Sequence, residues 1–279
     1  MSDSNKHALS DADESLGRVL NVQAAPRIVY PRNFIRQAVC ELRFPTIFEI
    51  EDARPPESFW KVLRGQFQDH EVLANVNVRP SSVVTANAHQ FKSKRGRWVV
   101  VLRPSAITLE TARYGSFDEF EEQLQLVIAA AAATIDSDFF TRVGLRYVNV
   151  LPCQASSIDG WLNDQLAQPL SEGTFGDVDF YWQQVHGKTA AGGYTFQHGI
   201  NGGQEQLPSH TGYILDYDFF DQDVAVVDAL ATVKKLHELE HSLFSWTLGE
   251  KARDYLKNRG MANEHAFCCG PNTDLCPGQ

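Results

Sequence analysis

Residues 142–151, Arg-Val-Gly-Leu-Arg-Tyr-Val-Asn-Val-Leu, constrain the fold more than any other stretch of this chain. Val143, Leu145, Tyr147 and Leu151 are apolar or aromatic and fall on alternate positions, while Arg142 and Arg146 fall between them. Successive side chains of a strand point to opposite faces, so this is a strand with one face on a core and the other among polar groups. Such a strand belongs to an antiparallel sheet covered on one side. A parallel sheet buries both faces and its strands are apolar throughout. The chain must therefore supply helices for one side only.

Two stretches supply them. Ser116 and Glu119 have capping-box spacing, and Phe117, Phe120, Leu124, Val127, Ile128 and Ala131 then step by three and four. The alanine run 129–133 suits close packing against a sheet. A second long helix is predicted over 226–246, with the stripe Val233, Leu236, Leu243 and Trp246, and its pattern continues through Ala252, Tyr255 and Leu256. Period-two patterns predict strands at 38–44, 83–91, 98–102, 107–111, 194–198 and 213–219, with another near Phe180 and Trp182. Short helices are expected after Pro55-Pro56, carrying Phe59, Trp60, Leu63 and Phe67, and at 158–166, carrying Trp161.

The order strand, short helix, several strands, long helix thus occurs twice, over 28–137 and 138–258. Each such unit buries one sheet face under its long helix. The expected fold class is α+β: the halves join edge to edge through strands 38–44 and 142–151 into one wide curved antiparallel sheet, with both long helices on its convex side. The arrangement is similar to TATA-box-binding-protein-like and helix-grip folds. Residues 1–27, rich in Ser, Asp and Ala, are expected to form a disordered leader, and 259–279 a flexible tail.

Composition narrows the partners. The 279 residues carry 35 acidic and 25 basic side chains, a net charge of −10, which disfavours nucleic acid because phosphate binding needs concentrated Lys and Arg. The one dense basic cluster, Lys92-Ser93-Lys94-Arg95-Gly96-Arg97, has the composition of a hairpin tip. No apolar run approaches the ~18 residues of a membrane span. The polar start lacks the apolar core of a secretory signal, and the five cysteines are too sparse for a disulfide framework. A cytoplasmic protein is expected.

Tyr30-Pro31-Arg32, Cys40-Glu41-Leu42-Arg43-Phe44 and above all residues 142–149 resemble a sporadically distributed bacterial family without an assigned activity. Tyr114, Asp216-Tyr217-Asp218 and Leu236-His237 are similar to its weaker signatures, and the likeness covers residues 28–256. It implies an accessory or defence-related gene product and no particular chemistry.

Three groups of residues could carry chemistry. His237-Glu238-Leu239-Glu240-His241 satisfies His-Glu-x-x-His on a helix: His237 and His241 share a face and could hold zinc, with Glu238 as general base. Against this, Glu240 places a charge where zinc hydrolases keep an uncharged residue, and Glu250, Asp254 and Glu264 are poor third ligands. The competing account makes both histidines the edge of a packing face that continues into Phe244 and Leu248, so no cofactor is expected and zinc is the alternative. Cys153 could be a nucleophile if a histidine lies beside it, and His265, Cys268, Cys269 and Cys276 in the tail lack paired metal-ligand spacing.

The third group is a polar sheet face. If 38–44 pairs with 142–151, Glu41 and Arg43 share a face with Arg142 and Arg146, and Asp216 and Asp218 join them. The result is either a cross-strand ion-pair ladder or a groove for a carboxylate or phosphate. Tyr147 and Asn149 are expected to hold the strand in place, and Trp98, Trp182, Tyr213 and Phe219 to lie in the core. No Walker loop or Gly-x-Ser-x-Gly elbow occurs, and Gly192-Gly193 and Gly202-Gly203 have the composition of hairpin turns. The functional expectation is a non-enzymatic binding or regulatory protein that engages a protein or small anionic ligand through Glu41, Arg43, Arg142, Arg146, Asp216 and Asp218. A zinc-dependent hydrolase is the alternative, and a nucleic-acid-binding sheet comes third.

Overall fold

The computed structural model describes residues 20–26, 28–79, 82–189, 192–200 and 212–258, with the backbone alone over 74–86. Most of the 1–27 leader, Gly202-Gly203, and the tail with His265, Cys268, Cys269 and Cys276 lie outside the described residues.

The first half runs β1 (Ile35–Arg43), α1 (Glu57–Leu63), β2 (Phe67–Arg79), β3 (Ser82–Ser93), β4 (Val99–Arg103), β5 (Ala106–Thr111) and α2 (Phe117–Ala132). The second runs β6 (Phe139–Leu151), α3 (Asp164–Ser171), β7 (Tyr181–Lys188), β8 (Gly192–Ile200), β9 (Tyr213–Ala225), α4 (Ala229–Thr247) and α5 (Glu250–Lys257). The nine strands form one curved antiparallel sheet in the order β2-β3-β4-β5-β1-β6-β9-β8-β7. The seam is the expected one: β1 pairs with β6, Cys40 opposite Leu145 and Glu41 opposite Gly144.

Alternation along the central strands decides the two faces. Cys40 and Leu42, Val143 and Leu145, and Leu215 and Phe219 are buried in the main core. So are Phe120, Leu124 and Val127 of α2 and Val233, Leu236 and Leu243 of α4, which cover that face. Full burial of one such side chain contributes roughly 1.5–3 kcal/mol, so this face dominates the stability of the seam. A Lys234–Glu121 ion pair of 2.8 Å links the two long helices.

Several local expectations change. Phe67 opens β2 rather than closing α1, and β2 is a strand that local propensity conceals, because its Asp and Asn residues disfavour strands and hairpin pairing with the adjacent β3 overrides them. The helix expected at 158–166 begins at Asp164: Gly160 adopts φ +77°, and Asn163 caps the new helix by accepting from the Gln165 N–H at 3.0 Å. Ser116 accepts from the Glu119 N–H at 3.2 Å, but the Glu119 carboxylate pairs with Arg97 instead of completing a capping box. Leu248 leaves the helical conformation to bridge Leu162, which separates α4 from α5. Gly192 and Gly193 belong to β8, where a Cβ at Gly192 would collide with the Phe220 carbonyl of β9. Trp182 packs with Val148, Val150 and Ile214 on the face away from the main core.

Candidate functional site

The polar face forms as expected. Both Asp218 oxygens accept from Arg142 Nη2, at 2.7 and 2.9 Å, and Glu41 accepts from Arg142 Nη1 at 3.0 Å. Asp216 accepts from Arg146 Nε at 2.8 Å and from Nη2 at 2.6 Å, in a two-pronged pair. Arg43 donates to Glu41 at 2.7 Å. Glu41, Arg43, Arg142, Arg146, Asp216 and Asp218 therefore come together, with each guanidinium engaged by a carboxylate of the same chain. Burial nevertheless raises the Asp218 carboxyl, against the pull of Arg142. The Arg142 guanidinium lies 4.7 Å from the centre of the Phe220 ring and folds over Gly144, where a Cβ would strike it. This explains the Arg-x-Gly-x-Arg spacing: the glycine makes room for the first arginine.

The more unusual chemistry is on the helix side. A cavity of about 200 Å³ lies between the sheet, the start of α2, the middle of α4 and the segment 28–35. Tyr147, Asn149 and Tyr217 contribute from β6 and β9, and His237, Glu240, His241 and Phe244 from α4. Ala25 donates its N–H to Ser242 at 3.3 Å, which holds the approach to the 28–35 segment against α4.

Glu240 is the distinctive residue. It is 1% exposed and takes its place in the buried stripe Val233, Leu236, Glu240, Leu243, Thr247, where an apolar residue would complete the helix face. Glu240 Oε1 accepts from the Phe219 main-chain N–H at 3.3 Å, whereas buried Oε2 has no hydrogen-bond partner. Burial, with Asp218 and Asp216 nearby, pushes its carboxyl well above the usual range. A carboxyl group in such a position is costly unless it serves a purpose.

Its neighbours form a hydrogen-bonded shell. Tyr147 Oη lies 3.2 Å from His237 Nδ1 and 3.4 Å from Tyr114 Oη. The His237 ring stacks on Phe117, centroids 3.9 Å apart and planes at 2°. Tyr217 Oη bonds Thr247 Oγ1 at 2.7 Å. Burial raises the Tyr147 and Tyr217 phenols far beyond their ordinary value, so neither is a ready base.

The His-Glu-x-x-His motif is only partly assembled. His237 and His241 line the same cavity with ring centroids 6.4 Å apart, but Glu238 is exposed and does not line it. His241 Nε2 lies 3.1 Å from the Pro26 carbonyl oxygen. Among the described residues, no three His, Cys, Asp or Glu side chains group as metal ligands. Cys153 is buried and its thiol is pushed up to about 12, which is far from a thiolate nucleophile at neutral pH. Sequence reasoning missed Glu240 as a site residue; the available signal was a carboxylate four residues after Leu236 and three before Leu243, inside a buried stripe. No protein-family model matches the chain, and no curated protein matches it.

Proposed function

We propose that this chain is a cytoplasmic, non-enzymatic binding or regulatory protein whose ligand site is the helix-side cavity. One observation carries the reading: a fully buried carboxyl group lines a cavity of about 200 Å³ and leaves Oε2 unpartnered. The volume suits a small molecule, since a cavity of about 150 Å³ accommodates benzene. The polar sheet face becomes a structural ladder in this account, because Arg142 and Arg146 are already neutralised by Asp218, Glu41 and Asp216. The accessory or defence role implied by the family resemblance is compatible with a ligand-responsive module.

The test is release of bound compounds. Protein purified from its native host is denatured, and the small molecules freed are identified by mass spectrometry, beside a Glu240→Leu variant handled identically. A near-stoichiometric compound from the wild type that is absent from the variant supports the reading. Equal, empty profiles from both oppose it. Metal analysis of the same samples addresses the zinc alternative, which His237 and His241 keep open by sharing the cavity; it requires close to one bound equivalent.

A further inference from the structure

We propose that the cavity selects an organic cation, an ammonium group bearing small alkyl substituents, with Glu240 as its counter-ion. This rests on the cavity being a ligand site and specifies what the site takes.

The argument begins with the hydrogen-bond inventory of Glu240. Oε1 is engaged by the Phe219 N–H, and the unpartnered Oε2 belongs to the same cavity-lining side chain. A neutral carboxylic acid leaves one oxygen unsatisfied here, and a bare carboxylate would be a buried charge without compensation. A bound cation compensates the buried charge of the carboxylate, and one that keeps an N–H also donates to Oε2. The ring character of the walls points the same way: Tyr30, Tyr114, Phe117, Tyr147, Tyr217 and Phe244 all line the space. Aromatic faces attract cations through the ring quadrupole, and several rings around one ammonium form the known cage arrangement.

The surrounding charges favour a cation over an anion. Asp118 lines the cavity from the first turn of α2, while Asp216 and Asp218 of β9, which also act on Glu240, are largely offset by their pairing with Arg146 and Arg142. Cys40 of β1 and the tyrosines of β6 and β9 are held protonated by burial and contribute no charge. Among the described residues, three basic side chains reach the cavity. Arg32 sits 4.7 Å from the centre of the Tyr255 ring, His237 meets Tyr147, and His241 meets the Pro26 carbonyl. Among the described residues, Glu240 Oε2 accepts from none of them. An anionic ligand would place its charge beside Glu240 and Asp118.

Isothermal titration of the full chain with three probes of one shape tests this: choline, its neutral carbon isostere 3,3-dimethylbutan-1-ol, and the anion 3,3-dimethylbutanoate. Choline should bind at least about tenfold more tightly than the alcohol, a difference of about 1.4 kcal/mol. The anion should not bind. Glu240→Gln should abolish the preference for charge. The preference for choline over the alcohol on the wild type stands as a test even if that variant folds poorly. Equal or tighter binding of the alcohol overturns the cation assignment while leaving a ligand cavity in place. Failure of all three probes also overturns the assignment, whereas the ligand-cavity reading is decided separately by the compounds released from native-host protein.

Discussion

The Arg142 guanidinium occupies the space above Gly144, two positions along its own strand, and from there reaches Glu41 on one neighbouring strand and Asp218 on the other. One side chain thus ties together β1, β6 and β9, and the absence of a Cβ at 144 makes the position possible. The seam between the two halves is held by buried apolar groups on one face and by this arrangement on the other.

Gly144→Ala should therefore destabilise the protein modestly, by about 1 kcal/mol, because the flexible Arg142 guanidinium must shift and loosen its ion pairs with Glu41 and Asp218. Urea denaturation of the single variant and of Gly144→Ala combined with Arg142→Met checks the cause. The alanine should cost clearly less once Arg142 is gone, since the two residues contend for one space. Additive effects would contradict the geometry.

Arg146→Met removes both donors from Asp216, which is 7% exposed. The expected loss is about 1.5–3 kcal/mol, the range for hydrogen bonds to charged groups, with the lower end favoured because Arg146 itself is partly exposed. Arg146→Met with Asp216→Leu should recover much of that loss by removing the stranded carboxylate. A single variant as stable as the wild type would take away the structural role of this pair.

Acid stability should reflect His198. Its ring is buried, Nδ1 lies 2.6 Å from Tyr213 Oη, and burial lowers its pKa from 6.5 to about 4. The unfolded chain takes up this proton near pH 6.5 and the folded chain only near pH 4, so stability is full above 6.5 and declines as pH falls through that interval. The linked loss is about 3 kcal/mol at most. His70 and His89, paired at 3.1 Å between Nε2 and Nδ1 and both lowered first by burial, act in the same direction. Denaturation midpoints across this range should fall less steeply for His198→Phe than for the wild type; identical slopes would assign the acid sensitivity elsewhere.

Glu240→Leu should stabilise the unliganded protein while abolishing cavity function. Completing the apolar stripe of α4 removes a buried carboxyl group with an unsatisfied oxygen, worth about 1–3 kcal/mol, set against the Phe219 N–H left without its partner. For a domain of this size, each kcal/mol raises Tm by about 2–4 °C. A lower Tm would mean that the Phe219 N–H contact outweighs the desolvation cost of the carboxyl group.

Much of the architecture was legible in the linear pattern. Alternation in residues 142–151 required a one-sided sheet, the stripes through Phe120 and Leu236 required two covering helices, and the repeated order of elements pointed to a seam of β1 with β6. Periodicity is a local property of the chain, and burial of one face follows from it directly. Elements decided by their pairing partners were less visible: β2 becomes a strand through hairpin pairing with β3, and Leu248 leaves α4 because it meets Leu162.

The candidate site divides along the same line. The ladder residues could be grouped from sequence because alternation and one strand pairing place Glu41, Arg142 and Asp218 on one face. The cavity could not, because its walls come from the N-terminal segment, the start of α2, β6, β9 and α4, which meet only when both helices pack on the sheet. Glu240 stood in a conspicuous place within its helix, but a carboxylate in an apolar stripe has no defined chemistry until its surroundings are known. By itself the sequence determined an antiparallel α+β scaffold, because periodicity and burial are coupled within each element. Tertiary packing alone decided that a half-satisfied carboxyl group would line an aromatic cavity, because desolvation depends on neighbours supplied by the whole fold.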